Sequence, residues 1–394
     1  MSEIKIRELQ GEEMLEAMYR LNSYAFHASP PLTNKDEWME IVRPRQGVTY
    51  FALFENGIPV AGVASTKMSQ QVRGKLFAAG GVWGVATDPA ARRKGYCRRL
   101  MGQLLDALRK NGAAFSSLYP FRESFYDRLG YASFQYAHIA KLTPPALLPL
   151  VKQELDGEIE LLLIGDGFER YRDYLHEMQA QTHGMALFTH GYRMAAQRNL
   201  SWLAFAKVDG RPAGLMLYQL KGEEVGQFLF QASRFYYTNS QAKYLLLQRI
   251  AQHTDQASKV EIWLPPYEQP ETWLADLEVK VEYQIHAPMG RVLDVPKING
   301  LQVGLGVFIA RITDPVCPWN EGSWQFKSVD GILQVEPHTA PDCDLSIQAL
   351  TALVFGTHDP EDFAIRGWGN PSPAVQASMR ALFPPKTPYI HEYF

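Results

Sequence analysis

The run from Gly80 to Met101, GGVWGVATDPAARRKGYCRRLM, limits what this chain can fold into more than any other stretch. Val82 to Thr87 is β-branched and aromatic with glycines around it, which predicts a strand whose backbone something approaches closely. After Asp88-Pro89 the period changes. Cys97, Leu100, Met101, Leu104, Leu105 and Leu108 recur at steps of three and four, the stripe of an amphipathic helix that Asn111-Gly112 stops. The same stripe carried one turn back would bury Arg93 and Lys94, so Arg92 to Gly95 is the loop that feeds the helix. Its charge is unusual. A helix start carries partial positive charge and favours acids, yet Arg92, Arg93 and Lys94 crowd it, with Arg98 and Arg99 behind. Free amides, a glycine and flanking cations together suit a pyrophosphate. The alternative for such a run is a solvated basic turn.

Strand, Arg92-x-x-Gly95-x-Cys97 and helix together resemble the acetyl-CoA signature of the GNAT superfamily of N-acetyltransferases, usually Arg/Gln-x-x-Gly-x-Gly/Ala. Cys97 departs from the last place but is still small. A second segment, Phe125 to Tyr131 (FYDRLGY), matches the superfamily's Phe-Tyr-x-x-Leu-Gly-Phe/Tyr. In that family the tyrosine protonates the leaving thiolate, which makes Tyr126 the expected acid. A phenol of pKa ~10 donates to a thiolate of ~8.5 at little cost. Taken alone, Tyr126 is also an ordinary aromatic on a core-facing turn. The resemblance further implies that the amides of Val85, Ala86 and Thr87 align the cofactor arm and stabilise the developing oxyanion. It assigns the pyrophosphate to Arg93, Lys94, Gly95, Tyr96, Cys97 and Arg98, with Phe121 and Arg122 beside the arm.

Bulk properties set the frame. With 394 residues, 46% hydrophobic and 21% charged, the chain has material for two or three cores. A net charge of -3 argues against a general binder of nucleic acid or anionic membrane. Three scattered cysteines fit reduced thiols, not a disulfide framework or a thiolate metal site. Met1 to Arg7 lacks the apolar segment of a signal peptide, and no run is long enough for a bilayer, so the expected location is the cytoplasm. The ten histidines hold no pair with helix-borne ligand spacing: His183 and His190 are too far apart, and His338 stands alone near Asp342 and Asp344. No metal is expected.

Residues 1–145 predict one α/β unit. Ile4 to Arg7 reads as a strand, Met14 to Ala25 as a helix running toward Phe26, and Val48–Phe54 with Val60–Met68 as a hairpin turning at Asn56-Gly57. Ala114–Leu118 follows as a strand, Glu123–Gly130 as a short helix and Tyr131–Leu142 as one or two strands. Residues 146–288 echo this order. Ala204–Val208, Asp209-Gly210 and Pro212-Ala213-Gly214 correspond to Tyr50–Phe54, Asn56-Gly57 and Pro59 to Gly62, which suggests duplication. The copy is degenerate. Thr238 to Lys243 has no glycine and one cation, so it is not expected to hold coenzyme A and is expected to wall the site of the first.

Residues 289–394 predict strands over Val303–Ile312, Ser323–Ser328 and Gly331–Val335, and helices over Ser346–Phe355 and Ala374–Phe383. Asp344 to Ile347 with Ala349 to Gly356 resembles the sterol-carrier-protein-like domain, whose apolar residues here read as core. Two GNAT-like units in tandem and this third domain resemble the Eis (enhanced intracellular survival) family of N-acetyltransferases. That likeness implies acetyl-CoA as co-substrate and a small-molecule amine as acceptor, with aminoglycosides and lysine side chains among the family's substrates. It also implies a homo-oligomer, a hexamer in the family, and a C-terminal carboxylate as general base, here Phe394. A chain end has pKa ~3.3–3.7 and is usually solvated, but Pro388 to Phe394 is largely aromatic and can dock, and burial raises such a pKa. The alternative is a terminal strand at a sheet edge with His391 or Glu392 exposed. Phe26, Asp36 and Trp38 would give a cationic acceptor an aromatic and acidic mouth. Three other activities fit a chain of this plan: an aminoacyltransferase using charged tRNA, a non-catalytic acyl-CoA sensor and a lipid carrier.

Overall fold

A computed structural model describes residues 3–27, 30, 34–43, 45–190, 200–284 and 286–394. The chain is mixed α/β and divides into two compact units, Met1–Gln135 with Gln179–His190 and His286–Phe394, and Tyr136–Met178 with Gly191–Ile285.

The first unit starts from strand β1 (Ile4–Leu9) beside the hairpin β2 (Val48–Glu55) and β3 (Ile58–Val72). Asn56 and Gly57 both have positive φ, 53° and 81°, as a tight two-residue turn requires. β4 (Lys75–Thr87) runs antiparallel to β3, and β5 (Phe115–Leu118) runs parallel to β4. Alternation along β2 decides which helix covers which face. Tyr50, Ala52 and Phe54 pack under α1 (Gly11–Asn22) and α2 (Lys35–Val42), whereas Phe51 and Leu53 pack under α3 (Tyr96–Lys110). The expected helix toward Phe26 changes type on the way: the α-helix ends at Asn22 and Ser23–His27 continues as a π-turn. The helix expected over Glu123–Gly130 is shorter, α4 (Glu123–Asp127).

Tyr131–Leu142 does not return as a pair in one sheet. β6 (Ala132–Ser133) stays in the first sheet, but β7 (His138–Leu142) pairs in the second. That second sheet contains β8 (Glu158–Leu163), and the chain then lends β9 (Ala186–Phe188) back to the edge of β3. It continues with β10 (Trp202–Val208), β11 (Arg211–Lys221), β12 (Phe228–Tyr237), β13 (Ala257–Leu264) and β14 (Lys280–Tyr283), and β7 lies between the last two. The exchange is reciprocal. β15 (Met289–Val292) enters the first sheet between β5 and β6. Strand for strand, β8-β10-β11-β12-β13-β7-β14 repeats β1-β2-β3-β4-β5-β15-β6, with one parallel pair in each, β12 with β13 and β4 with β5. In the second unit α5 (Ser240–Ala251) buries Leu245, Leu246, Leu247 and Ile250 against the sheet.

The rest of the first unit is a four-stranded sheet, order β18-β17-β16-β19, from β16 (Val307–Thr313), β17 (Gly322–Val329), β18 (Ile332–Pro337) and β19 (Cys343–Ser346). α6 (Ile347–Phe355) is buried at nearly every position, and α7 (Pro373–Leu382) follows. Phe308 stacks on Phe326 at 5.0 Å and meets Phe383 edge-on, so these apolar residues pack on one another. Among the described residues no helix is long and apolar enough to cross a membrane.

Candidate active site

β4 and β5 part company early. Their pairing ends at Val82↔Leu118, while β4 runs on to Thr87. Trp83 to Thr87, which includes Val85, Ala86 and Thr87, therefore has no strand partner on that side among the described residues. Gly84 lies at the register shift against β3, with φ 59°, and a side chain there would meet the Asn22 amide at 3.3 Å. Asn22 is buried and its Oδ1 has no hydrogen-bond partner. Sequence reasoning missed it; a polar residue on the core face of α1 was its only signal.

Below this opening the chain turns into α3. Arg93 takes a left-handed φ of 63° and Gly95 one of 77°. Such turns direct successive N–H groups to one side, and a non-glycine held there is a strain that function often explains. Gly95 is the N-cap and supplies no side-chain acceptor; the first helical bond runs from Arg99 N to Gly95 O at 3.2 Å, so the amides of Tyr96, Cys97 and Arg98 precede it. Nothing lies within 4 Å of where a Gly95 Cβ would be. The glycine is thus required by its φ, and the space before the amides is open. Arg92, Arg93, Arg98 and Arg99 are exposed around it.

Three side chains in this turn differ from the sequence expectation. Lys94 is held by Glu55 at 3.0 Å, which raises the ammonium's pKa, and Tyr96 donates its hydroxyl to the same carboxylate at 3.1 Å. The Tyr96 ring is core, so only its amide faces the loop. Burial pushes the Cys97 thiol up to about 12, which keeps it protonated and unsuited to attack.

Tyr126 sits on α4 and is 3% exposed. Burial raises its pKa, and Cys97 and Tyr131 push in the same direction, so the phenol keeps its proton. Phe121, two-thirds exposed, lies 5.8 Å from the Tyr126 ring, and Arg122 is the N-cap of α4. The turn behind Tyr126 is fixed by a buried ion pair. Arg291 donates to the Leu129 carbonyl and, at 2.7 and 2.6 Å, to both oxygens of Asp314. Gly130, φ 90°, is obligatory because its missing side chain would occupy the guanidinium's place.

The chain end docks in the first unit against β4, β9 and the residue after β5. The Phe394 ring meets Tyr119, just past β5, at 5.7 Å and Phe188 at 6.0 Å, and its edge lies 3.2 Å from where a Gly81 Cβ would stand. Tyr393 packs on Tyr119 at 4.6 Å. The tail forms no strand, His391 is buried, and Glu392 Oε1 accepts from Phe188 N at 3.1 Å, so neither side chain matches the sheet-edge alternative. Sequence reasoning missed Tyr119, Phe188 and Glu392, which only the docked tail brings together. The residues expected at an acceptor mouth have these surroundings. Trp38 packs against Tyr19 at 5.5 Å as part of the α1–α2 core, Phe26 is largely exposed, and the exposed Asp36 donates its amide to the Asn34 side chain. Among the described residues no group of His, Cys, Asp and Glu could hold a metal ion.

Comparison with known proteins agrees with this anatomy. An acetyltransferase (GNAT) domain family matches residues 5–134, a second acetyltransferase (GNAT) domain family residues 189–292, and the sterol carrier protein domain family residues 308–391. The chain is an acyltransferase enzyme with two GNAT domains and a sterol-carrier-like C-terminal domain. No curated protein matches it in sequence. Among solved structures it is similar to a GCN5-related N-acetyltransferase from Anabaena variabilis (TM-score 0.85, 15% identity, 99% of this chain and 100% of that one). It is also similar to a probable N-acyltransferase from Enterococcus faecalis (0.83, 19%, all of both chains) and to Eis1 from Mycobacterium abscessus (0.77, 17%, all of both chains). At these identities the likeness is one of fold.

Proposed function

We propose that the protein is an acetyl-CoA-dependent N-acetyltransferase of the Eis kind, acting on primary amines such as those of aminoglycosides and lysine side chains. The observation that carries the reading is the opening between β4 and β5, which leads into the uncapped start of α3 ringed by arginines. The residues there suit the donor. The backbone of Val85 to Thr87, which has no strand partner on its β5 side among the described residues, can take an extended arm as an added strand, and the amides of Gly95 to Arg98 with Arg93 and Arg98 can take a diphosphate. Lys94 joins them only by leaving Glu55. When bound, acetyl-CoA supplies an acetyl group activated as a thioester.

The chain's own groups handle the protons. The Phe394 carboxylate accepts a proton from the substrate ammonium, directly or through water, which frees the nitrogen lone pair. As the C–N bond forms and the C–S bond breaks, Tyr126 gives its hydroxyl proton to the departing sulfur, and the surplus proton on the new amide nitrogen passes through solvent to restore the phenol. Cys97, a buried and protonated thiol, is given no covalent part. Phe121 and Arg122 flank the arm. Following the Eis likeness the protein is a homo-oligomer; a cytoplasmic location and catalysis without a metal complete the proposal.

The test is thiol release from acetyl-CoA against a panel of aminoglycosides and lysine peptides, for the wild type, Tyr126→Ala and the chain extended by one glycine after Phe394. Turnover that depends on both Tyr126 and the position of the chain end is expected. No thiol release with any amine, or no affinity for coenzyme A by calorimetry, would reject the reading.

A further inference from the structure

The tail that carries Phe394 has no helix or strand of its own, yet a base must stand within hydrogen-bond reach of its proton. Something else has to fix its path. The segment from His183 to Phe188 touches it along its length. His183 O accepts from Tyr389 N at 2.9 Å, Phe188 N donates to Glu392 Oε1 at 3.1 Å, and the Phe188 ring meets Phe394 at 6.0 Å. Between them lies Gly184, φ 82°, where a Cβ would stand 2.6 Å from Pro388 Cβ and 2.8 Å from Tyr389 N. The tail lies flat on the segment there.

The segment is itself rigidly tied. β9 pairs with β3 from Met68↔Phe188 to Gln70↔Ala186, Gly184 N donates to Gln71 O at 2.8 Å, and the Gln70 side chain donates to Gly184 O at 3.0 Å. His183 accepts the Arg73 amide on Nδ1 at 3.1 Å, so its Nε2 carries the hydrogen and donates to Phe355 O at 3.0 Å. Arg73 in turn binds the last carbonyls of α6, Leu353 and Val354, and that of Pro384 at the start of the tail. Resting on the reading of Phe394 as base, we propose that His183 to Phe188 is a cradle that sets where the terminal carboxylate stands, and that Glu392 is its positioning residue. Only Tyr393 and Phe394 lie beyond that anchor. Without it those two residues keep their ring contacts with Tyr119 and Phe188 but lose the tether next to the carboxylate, and errors near 1 Å already cost about 10²-fold in rate.

The test is a kinetic cycle at saturating amine on the full chain: wild type, Glu392→Ala, the one-glycine extension after Phe394, and the two combined, with acetyl-CoA affinity and melting temperature measured for each. The expected result is kcat lowered roughly 10- to 100-fold by Glu392→Ala. Acetyl-CoA affinity and melting temperature stay at wild-type values, and the substitution adds little in the extended chain, whose carboxylate is already displaced. Glu392→Gln, which keeps an oxygen for Phe188 N–H, restores most of kcat. Gly184→Ala, pushing the tail from the other side, lowers kcat in the same manner. The inference is overturned if Glu392→Ala is silent while the extension abolishes turnover, a result that leaves Phe394 as base. It is also overturned if Glu392→Gln is as damaging as alanine and the extension is harmless, because Glu392 would then be the base and the reading of Phe394 would fall as well. Equal, additive losses in both backgrounds overturn it too.

Discussion

The two acetyltransferase copies reach their main helix from the same starting point and enter it differently. In the first, Asp88 N donates to Val60 O at 2.8 Å; in the second, Thr238 N donates to Ala213 O at 2.8 Å. The second copy then begins its helix at Ser240, and the Asn239 side chain accepts from Ala242 N at 2.9 Å. The first inserts Pro89 to Gly95, leaves the helix start uncapped and surrounds it with arginine. An amide that has an internal acceptor is not on offer to a ligand. The same fold therefore yields an uncapped helix start in one copy and a side-chain-capped one in the other, through a short insertion and one side chain.

That contrast can be broken in graded ways. The largest effect is expected from Tyr126→Phe, which removes the hydroxyl proposed as the acid: kcat falls about 10²- to 10⁴-fold with acetyl-CoA affinity unchanged. A kcat within threefold of wild type would remove Tyr126 from the chemistry. Next is Gly95→Ala, which adds a methyl in the open space before the amides and about 1 kcal/mol of strain at φ 77°. Calorimetry is expected to give acetyl-CoA binding at least tenfold weaker, and equal binding would mean the diphosphate lies elsewhere. Asn239→Ala is the control on the other copy. It should lower unfolding free energy by about 1 kcal/mol in denaturant titration and leave acetyl-CoA affinity alone, whereas weaker binding would show that the second copy takes part.

A further effect concerns pH. Burial, reinforced by the charges of Arg73 and Lys386, holds His183 down to about 3 against the hydrogen bond to Phe355 O. The unfolded chain protonates it near 6.5, so its contribution is complete above that pH and is lost as pH falls toward 3. His183→Gln is expected to flatten the fall in melting temperature across that window, and an unchanged slope would refute this assignment.

Much of the first site was legible because its signals are local. The glycine-flanked strand, the turn of cations and the 3.6-residue stripe from Cys97 to Leu108 all lie within about thirty residues and point the same way. What escaped the sequence is long-range. β15 is four residues buried on both faces, and Met289–Val292 suits any sheet equally well, so nothing in it names β5 and β6 as its partners. β9 is three residues. The role of Gly130 was equally hidden, since the guanidinium that demands it belongs to Arg291, 162 positions from the carbonyl it holds. The contacts of the Lys94 and Tyr96 side chains with Glu55 were also hidden, because Glu55 lies about forty positions away along the chain, on β2.

The traded strands β7 and β15 also govern how this protein can be made and cut. A ribosome must release Met289 to Val292 before the first sheet can close, so for most of synthesis that sheet waits as an open edge. Any fragment ending after the first copy lacks its inserted strand, and any fragment starting after Leu142 deprives the second of its own. Dissection of the gene into tidy modules is therefore expected to yield insoluble pieces, while co-expressed halves that restore both strands can complement one another.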